Sequence, residues 1–280
     1  MPFTRRRFIG HSAAALTSAA FLPSVAQATG KDRIRVGAYV VGLEAAKQAG
    51  LDGVQIGIDS VADALDISKS ETRTKYREQM RATGLPICSF SIAPFCRFPL
   101  ATDVRGALWL GQCVDAAKDL GVTNILVPFF GEADLQIDKQ IKKDEFASVV
   151  RRLKDAAPCA KDAGVTLAVE NMLSAEQNLQ LLDAVGHESV SIYYDVYNTG
   201  KTQKYDSPAE IRRLKGRITQ VHYKNGSAYL DEDRPYFEAV TAALKEIGYG
   251  GWIVLETSSP SKDAVADARR NGEFVRRLFA

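Results

Sequence analysis

Four side chains with metal-ligand chemistry close four short apolar segments in the C-terminal part of the chain. Thr166-Leu167-Ala168-Val169 ends on Glu170, and Ser191-Ile192-Tyr193-Tyr194 ends on Asp195. Ile218-Thr219-Gln220-Val221 ends on His222, and Trp252-Ile253-Val254-Leu255 ends on Glu256. Successive members are 25, 27 and 34 residues apart, roughly one strand-plus-helix unit each. Three carboxylates and an imidazole brought together would repel one another and lose water, which is costly without a counter-charge. A divalent cation removes that cost and leaves coordination positions for substrate oxygens. Three oxygen donors and one nitrogen suit Mn²⁺ first, with Mg²⁺ or Co²⁺ as alternatives and Zn²⁺ less favoured. Taken singly, each of the four is as readily a helix cap or an ion-pair partner. Their common place at the ends of consecutive strands is what points to chemistry.

The elements that must position them follow from the alternation of short apolar runs and amphipathic stretches. Strands are expected at 34–40, 53–58, 86–92, 124–129, 166–170, 191–195, 218–222 and 252–256. Helices are expected at 43–49, 71–83, 105–120, 143–163, 175–185, 208–214 and 236–247, with an eighth from 263 to the end. Gly50, Gly84, Gly121, Gly164 and Gly248 fall where a helix gives way to the next strand, the place for a left-handed C-terminal cap. Strands alternating with helices imply a parallel sheet. Eight such units in one domain's length imply a single (β/α)8 TIM barrel, for which about 250 residues is typical. A doubly wound open sheet would place a Gly-rich phosphate turn after its first strand. Val40-Val41-Gly42-Leu43 is not one. In a barrel all four residues reach the C-terminal rim. Period-two alternation pairs Glu170 with Ala168, Asp195 with Tyr193 and Glu256 with Val254 on the inward face.

At 46% hydrophobic and 25% charged, the chain is ordinary for a soluble globular protein. Its N-terminus reads Thr4-Arg5-Arg6-Arg7-Phe8-Ile9-Gly10, then an Ala-rich apolar run, then Ala26-Gln27-Ala28. That is the order of a cleaved export signal, and the arginines followed by Phe8 and Ile9 resemble the twin-arginine type. An ordinary secretory signal is the alternative. The expected division is a signal at 1–28 and a barrel at 29–280, with the mature protein periplasmic or secreted and not inserted in the membrane. Residues 1–28 hold three arginines and no acidic residue, so their removal takes the formal charge from +2 to −1. No basic face for nucleic acid is left. Cys88, Cys96, Cys113 and Cys159 form no metal-binding pair, and buried free thiols are expected. Pairing of Cys88 with Cys96 stays open.

The order Glu, Asp, His, Glu on the last four strands resembles the xylose-isomerase-like sugar isomerase/epimerase superfamily. Val169-Glu170-Asn171, Tyr194-Asp195-Val196-Tyr197-Asn198, Val221-His222-Tyr223-Lys224-Asn225 and Gly248-Tyr249-Gly250-Gly251-Trp252-Ile253-Val254-Leu255-Glu256 carry the resemblance. It implies that Glu170, Asp195, His222 and Glu256 bind one divalent metal, Mn²⁺ foremost. It further implies that Glu170 and Glu256 serve as acid and base around a metal-stabilised enediolate. Three positions depart from the pattern. Asn198 stands where ketose epimerases usually have His, Ala228 where an Arg often follows the metal histidine, and Met172 where some relatives have a second His. These departures leave the substrate open. Asn198 and Lys224 are expected to line the substrate pocket, unless they serve as a turn residue and a surface charge. With His11 in the export segment and His187 just before a strand, only His222 remains for metal chemistry. That count argues against the multi-metal nuclease branch of the fold, which needs many histidines.

Phe95, Arg97, Phe98, Phe129, Phe130 and Glu132 follow the third and fourth strands. These aromatics could stack on a sugar face, close a lid or form a dimer contact in a homo-oligomer. The run Ser258-Ser259-Pro260-Ser261 could hold an anion or cap the last helix. The leading expectation is isomerisation or epimerisation of a small-molecule sugar or keto-sugar. The alternatives are a lyase or dehydratase acting on an oxidised sugar such as a 3-keto-glycoside, and a sugar-binding barrel without catalysis.

Overall fold

The computed structural model describes residues 34–280, so the export segment 1–28 lies outside the described residues. Eight parallel strands close on themselves in chain order. They are β1 Arg35–Ala38, β2 Gly53–Gly57, β3 Ile87–Ser91, β4 Asn124–Pro128, β5 Thr166–Glu170, β6 Val190–Asp195, β7 Ile218–Tyr223 and β8 Trp252–Leu255. The helices between and after them are α1 Leu43–Gln48, α2 Ser70–Thr83, α3 Gly106–Leu120, α4 Lys143–Asp162, α5 Ala175–Val185, α6 Ser207–Arg213, α7 Arg234–Glu246 and α8 Ala264–Phe279. The barrel is the (β/α)8 form that the alternation predicts, and every expected strand and helix is present. Closure comes from β1 and β8, where Arg35 pairs with Trp252 and Ala38 with Leu255.

Local signals explain the helix ends. Gly84 and Gly121 take φ of 71° and 70°, the left-handed turn that ends α2 and α3. Asp206 caps α6 by accepting from the Ala209 N–H, with Pro208 in the first turn. Ser174 and Gln177 form a reciprocal capping box at the start of α5.

Two layers of side chains result. Outward-facing strand residues join the helices in the main hydrophobic core. The barrel interior is lined by Cys88, Leu126, Ala168, Tyr193, Trp252 and Val254. Ala168, Tyr193 and Val254 are the residues expected to share the inward face with Glu170, Asp195 and Glu256. A Cβ at Gly53 would stand 2.8 Å from both Trp252 Cη2 and Pro86 O, so β2 must start on glycine to admit the indole.

The sequence reading missed one element and misplaced one thiol. A hairpin pairs Gln136–Ile137 with Gln140–Ile141 in the loop after β4. Its two turn residues, Asp138 and Lys139, take φ of 50° and 63°, a type I′ geometry usually signalled by Asn-Gly or Asp-Gly. Gln136 Nε2 donates to Met172 O at 2.7 Å and Gln177 Nε2 to Lys139 O at 2.9 Å, fastening the hairpin to the loop after β5. All four cysteines are free; Cys88 and Cys113 are buried and Cys96 is half-buried, but Cys159 is exposed. The buried stripe of α4 runs through Val149, Leu153, Ala157 and Ala160, and position 159 falls beside it.

Candidate metal centre

Each of the four strand-end residues arrives at the rim by parity along its own strand. Glu170 and Asp195 are the last residues of β5 and β6, and His222 is next to last in β7. Glu256 lies one residue beyond β8, held in line by its N–H donating to Tyr223 O at 3.0 Å. One ligand atom from each of Glu170, Asp195, His222 and Glu256 lies within 4.8 Å of all the others. A cation at about 2.0–2.3 Å from each donor spans a cluster of that width. His222 Nδ1 sits 3.0 Å from Glu170 Oε1, 3.6 Å from Glu256 Oε2 and 3.8 Å from Asp195 Oδ2.

Asp195 provides the clearest test of fit. The Asn198 N–H donates to its Oδ1 at 2.7 Å and orients the carboxylate. Its Oδ2 is buried without a hydrogen-bond partner. Lys224 Nζ lies 3.0 Å from that oxygen, but off the direction a hydrogen bond requires. An orphaned carboxylate oxygen among two further carboxylates and an imidazole nitrogen is the donor set that a divalent cation satisfies.

The electrostatics agree. Burial pushes the Asp195 carboxyl up to about 7, against the pull of Lys224. Burial acts the same way on Glu256, but His222 and Lys224 outweigh it and hold that carboxyl below its ordinary value. Burial disfavours a charged His222, yet Glu170 and Glu256 favour it and prevail, so its pKa is raised. Burial likewise opposes the Lys224 charge, and Asp195 and Glu256 more than restore it. Without a metal, Lys224 is the fixed positive charge that offsets Asp195 and Glu256 at the cluster.

The two residues expected to meet substrate are both at the cluster. Lys224 bridges Asp195 and Glu256, with Nζ 2.8 Å from Glu256 Oε2. Asn198 is buried and opens a π-helical turn, Asn198–Thr202. His187 lies before β6 at the opposite rim, where its Nδ1 accepts from the Ser189 N–H.

Of the aromatics after β3 and β4, Phe95 and Phe129 are buried in the hydrophobic core, so neither presents a face to a sugar. Phe98 packs edge-on against Trp109. The Ser259 and Ser261 hydroxyls both donate to Asp267 and are not free for an anion.

Two residues at the cluster, Tyr39 and Gln55, escaped the sequence reading, and Tyr193 was expected only to face inward. Tyr39 lies nearly parallel to the His222 ring, 16° between planes and 6.2 Å between centroids. Tyr193 packs on the same ring at 4.4 Å. Gln55 reaches His222 from β2. A polar residue inside Gly53-Val54-Gln55-Ile56-Gly57, on a strand buried on both faces, was the available signal.

The profile of the xylose isomerase-like TIM barrel family matches residues 43–278. The chain belongs to this family. Among solved structures, the xylose isomerase-like fold here is similar to an L-ribulose 3-epimerase, with TM-score 0.70 and 22% identity over 88% of this chain and 94% of that one. It is also similar to a D-psicose 3-epimerase, with TM-score 0.72 and 15% identity over 88% and 99%. A 3-keto-D-glucoside 4-epimerase from E. coli gives TM-score 0.69 and 15% identity, again over 88% and 99%. At such identities the likeness is one of fold. No curated protein matches the chain in sequence.

Proposed function

We propose that this protein is a divalent-metal-dependent isomerase or epimerase of a free sugar or keto-sugar. The observation that carries the reading is the meeting of Glu170, Asp195, His222 and Glu256 within 4.8 Å at the C-terminal rim, where barrel enzymes do their chemistry. These four residues would hold one cation, Mn²⁺ first. Bound there, it would act as a Lewis acid on a substrate carbonyl or hydroxyl. Glu170 and Glu256 approach from strands separated by two others, so they can flank a substrate on different sides. One takes a proton from the carbon beside the carbonyl, and the other returns a proton to the same or the neighbouring carbon. Asn198 and Lys224 are the proposed substrate contacts, Lys224 as a cation already fixed at the cluster. Three epimerases of sugars or keto-sugars among the similar folds support this class.

A second reading keeps an oxidised sugar such as a 3-keto-glycoside, the kind of substrate for which one similar fold is named, but changes the outcome. Proton loss beside the carbonyl is then followed by expulsion of a leaving group, which makes the protein a lyase or dehydratase. Incubating the Mn²⁺-loaded protein with ketoses and 3-keto-glycosides in D₂O separates the two. Deuterium gained at the carbon beside the carbonyl, with an epimer or aldose–ketose isomer as product, supports the first. Elimination products without any epimer favour the second, and no deuterium exchange with any substrate overturns both.

The twin-arginine reading places the mature protein in the periplasm or outside the cell. An unphosphorylated substrate suits that location.

A further inference from the structure

We propose that Gln55 is a positioning residue that determines which nitrogen of His222 faces the metal. The inference rests on the metal reading above and adds a residue from the opposite side of the barrel.

Gln55 lies on β2, buried at 1% exposure, and its side chain crosses the barrel interior. Its carbonyl Oε1 accepts from Tyr193 OH at 2.7 Å and stands 3.0 Å from His222 Nε2. A carbonyl oxygen carries no proton, so this contact requires an N–H at His222 Nε2. The other nitrogen, Nδ1, points into the three carboxylates. The two ring nitrogens thus meet opposite chemistry, an acceptor on one side and the proposed cation site on the other. A histidine binds a metal through an unprotonated nitrogen, and the partner of its second nitrogen selects which one that is. Tyr193 and Tyr39 pack on the ring and limit its tilt, while Gln55 distinguishes its two edges.

The unpaired amide nitrogen supports the assignment. Gln55 Nε2 is buried without a partner, an arrangement that carries the desolvation cost of an unmade hydrogen bond. Turning the amide over would aim its N–H groups at His222 and Tyr193. His222 Nε2 would then have to accept, the ring proton would move to Nδ1, and Nδ1 could no longer serve as a ligand. The orphaned donor accompanies the one orientation that leaves Nδ1 available. Glutamine also supplies the acceptor without adding a fourth carboxylate to the interior.

The test compares wild type, Gln55→Leu and Gln55→Glu. By titration calorimetry, Gln55→Leu is expected to bind Mn²⁺ about 10–100-fold more weakly, the usual effect of losing such an outer partner. Gln55→Glu keeps an acceptor at the same place and is expected to bind at least as tightly as wild type. ¹⁵N spectra of His222 in Zn²⁺-loaded wild type should show a proton on Nε2 that exchanges slowly with solvent. In Zn²⁺-loaded Gln55→Leu that proton should lose its slow exchange, whereas a purely structural role would leave it as in wild type. A folded Gln55→Leu variant with wild-type affinity, or a Zn²⁺-loaded wild type with its proton on Nδ1, overturns the proposal. Should Gln55→Leu fail to fold, the wild-type spectrum and the Gln55→Glu affinity still decide. Failure of wild type to bind Mn²⁺, Mg²⁺, Co²⁺ or Zn²⁺ would instead sink the metal reading itself.

Discussion

Glu170 and Glu256 have the same side chain in different surroundings, 5% and 27% exposed. Each is proposed both as a ligand and as a proton carrier. Glu170→Gln and Glu256→Gln should each lower turnover by about 10²–10⁴-fold, the usual contribution of a positioned acid or base. Metal content measured on the same samples separates lost proton transfer from lost metal. Lys224 behaves differently because its ammonium neutralises Asp195 and Glu256 in the absence of a cation. Lys224→Met should therefore destabilise the metal-free protein by about 1.5–3 kcal/mol, the range for a hydrogen bond to a charged group. Denaturant unfolding in EDTA and in excess Mn²⁺ checks this. Equal losses in both conditions would show that Lys224 is not acting as a stand-in charge.

At the scale of elements, the rim depends on the loops that frame it. Asp267 in the first turn of α8 accepts from Ser259 Oγ, Ser261 N, Ser261 Oγ and Tyr229 OH. One carboxylate thereby ties the loop after β8 and the loop after β7 to the same helix. Burial would raise its pKa, but the hydrogen bonds from Ser259, Tyr229 and Ser261 prevail and hold it at about 2. A folded-state pKa below the unfolded one means stability that is full above the ordinary carboxylate range and is lost as pH falls toward 2. Asp267→Asn should flatten that acid limb of an unfolding-versus-pH curve and leave the neutral region parallel to wild type. Gly121 tests a different link. Its φ is +70° and nothing lies within 4 Å of where a Cβ would stand, so Gly121→Ala meets only backbone strain. A loss of about 1 kcal/mol by denaturant titration is expected.

For the molecule as a whole, a cation that binds only the folded barrel must stabilise it by mass action, by about 2.7 kcal/mol at a hundredfold excess over Kd. Adding Mn²⁺ to the EDTA-treated protein should raise Tm by roughly 5–10 °C, given the usual 2–4 °C per kcal/mol for chains of this size. An unchanged Tm would count against a metal at the four residues. The export reading has a test of its own. Replacing Arg5 and Arg6 with Lys should leave the precursor uncleaved in the cytoplasm, read by cell fractionation. Normal export of that double variant would favour an ordinary secretory signal.

The barrel was legible because its signals are local. Alternation within a strand, an amphipathic stripe along a helix and a glycine at a helix end each involve residues a few positions apart. The same locality explains why Glu170, Asp195, His222 and Glu256 could be grouped: parallel strands place their ends on one rim, and parity sets the inward face. Residues joined only by distant contacts were not legible in this way. Gln55 meets His222 across 167 residues and Tyr193 across 138, Lys224 meets Glu256 across 32, and Tyr229 meets Asp267 across 38. The hairpin at 136–141 lacks the usual turn glycine and is fastened by its own Gln136 and by Gln177 of α5. Sequence determined which residues arrive at the mouth of the barrel, since that depends on period and direction along one strand. Only the closed tertiary structure decided how they face one another, since hydrogen-bond geometry and burial arise between strands the chain does not place side by side.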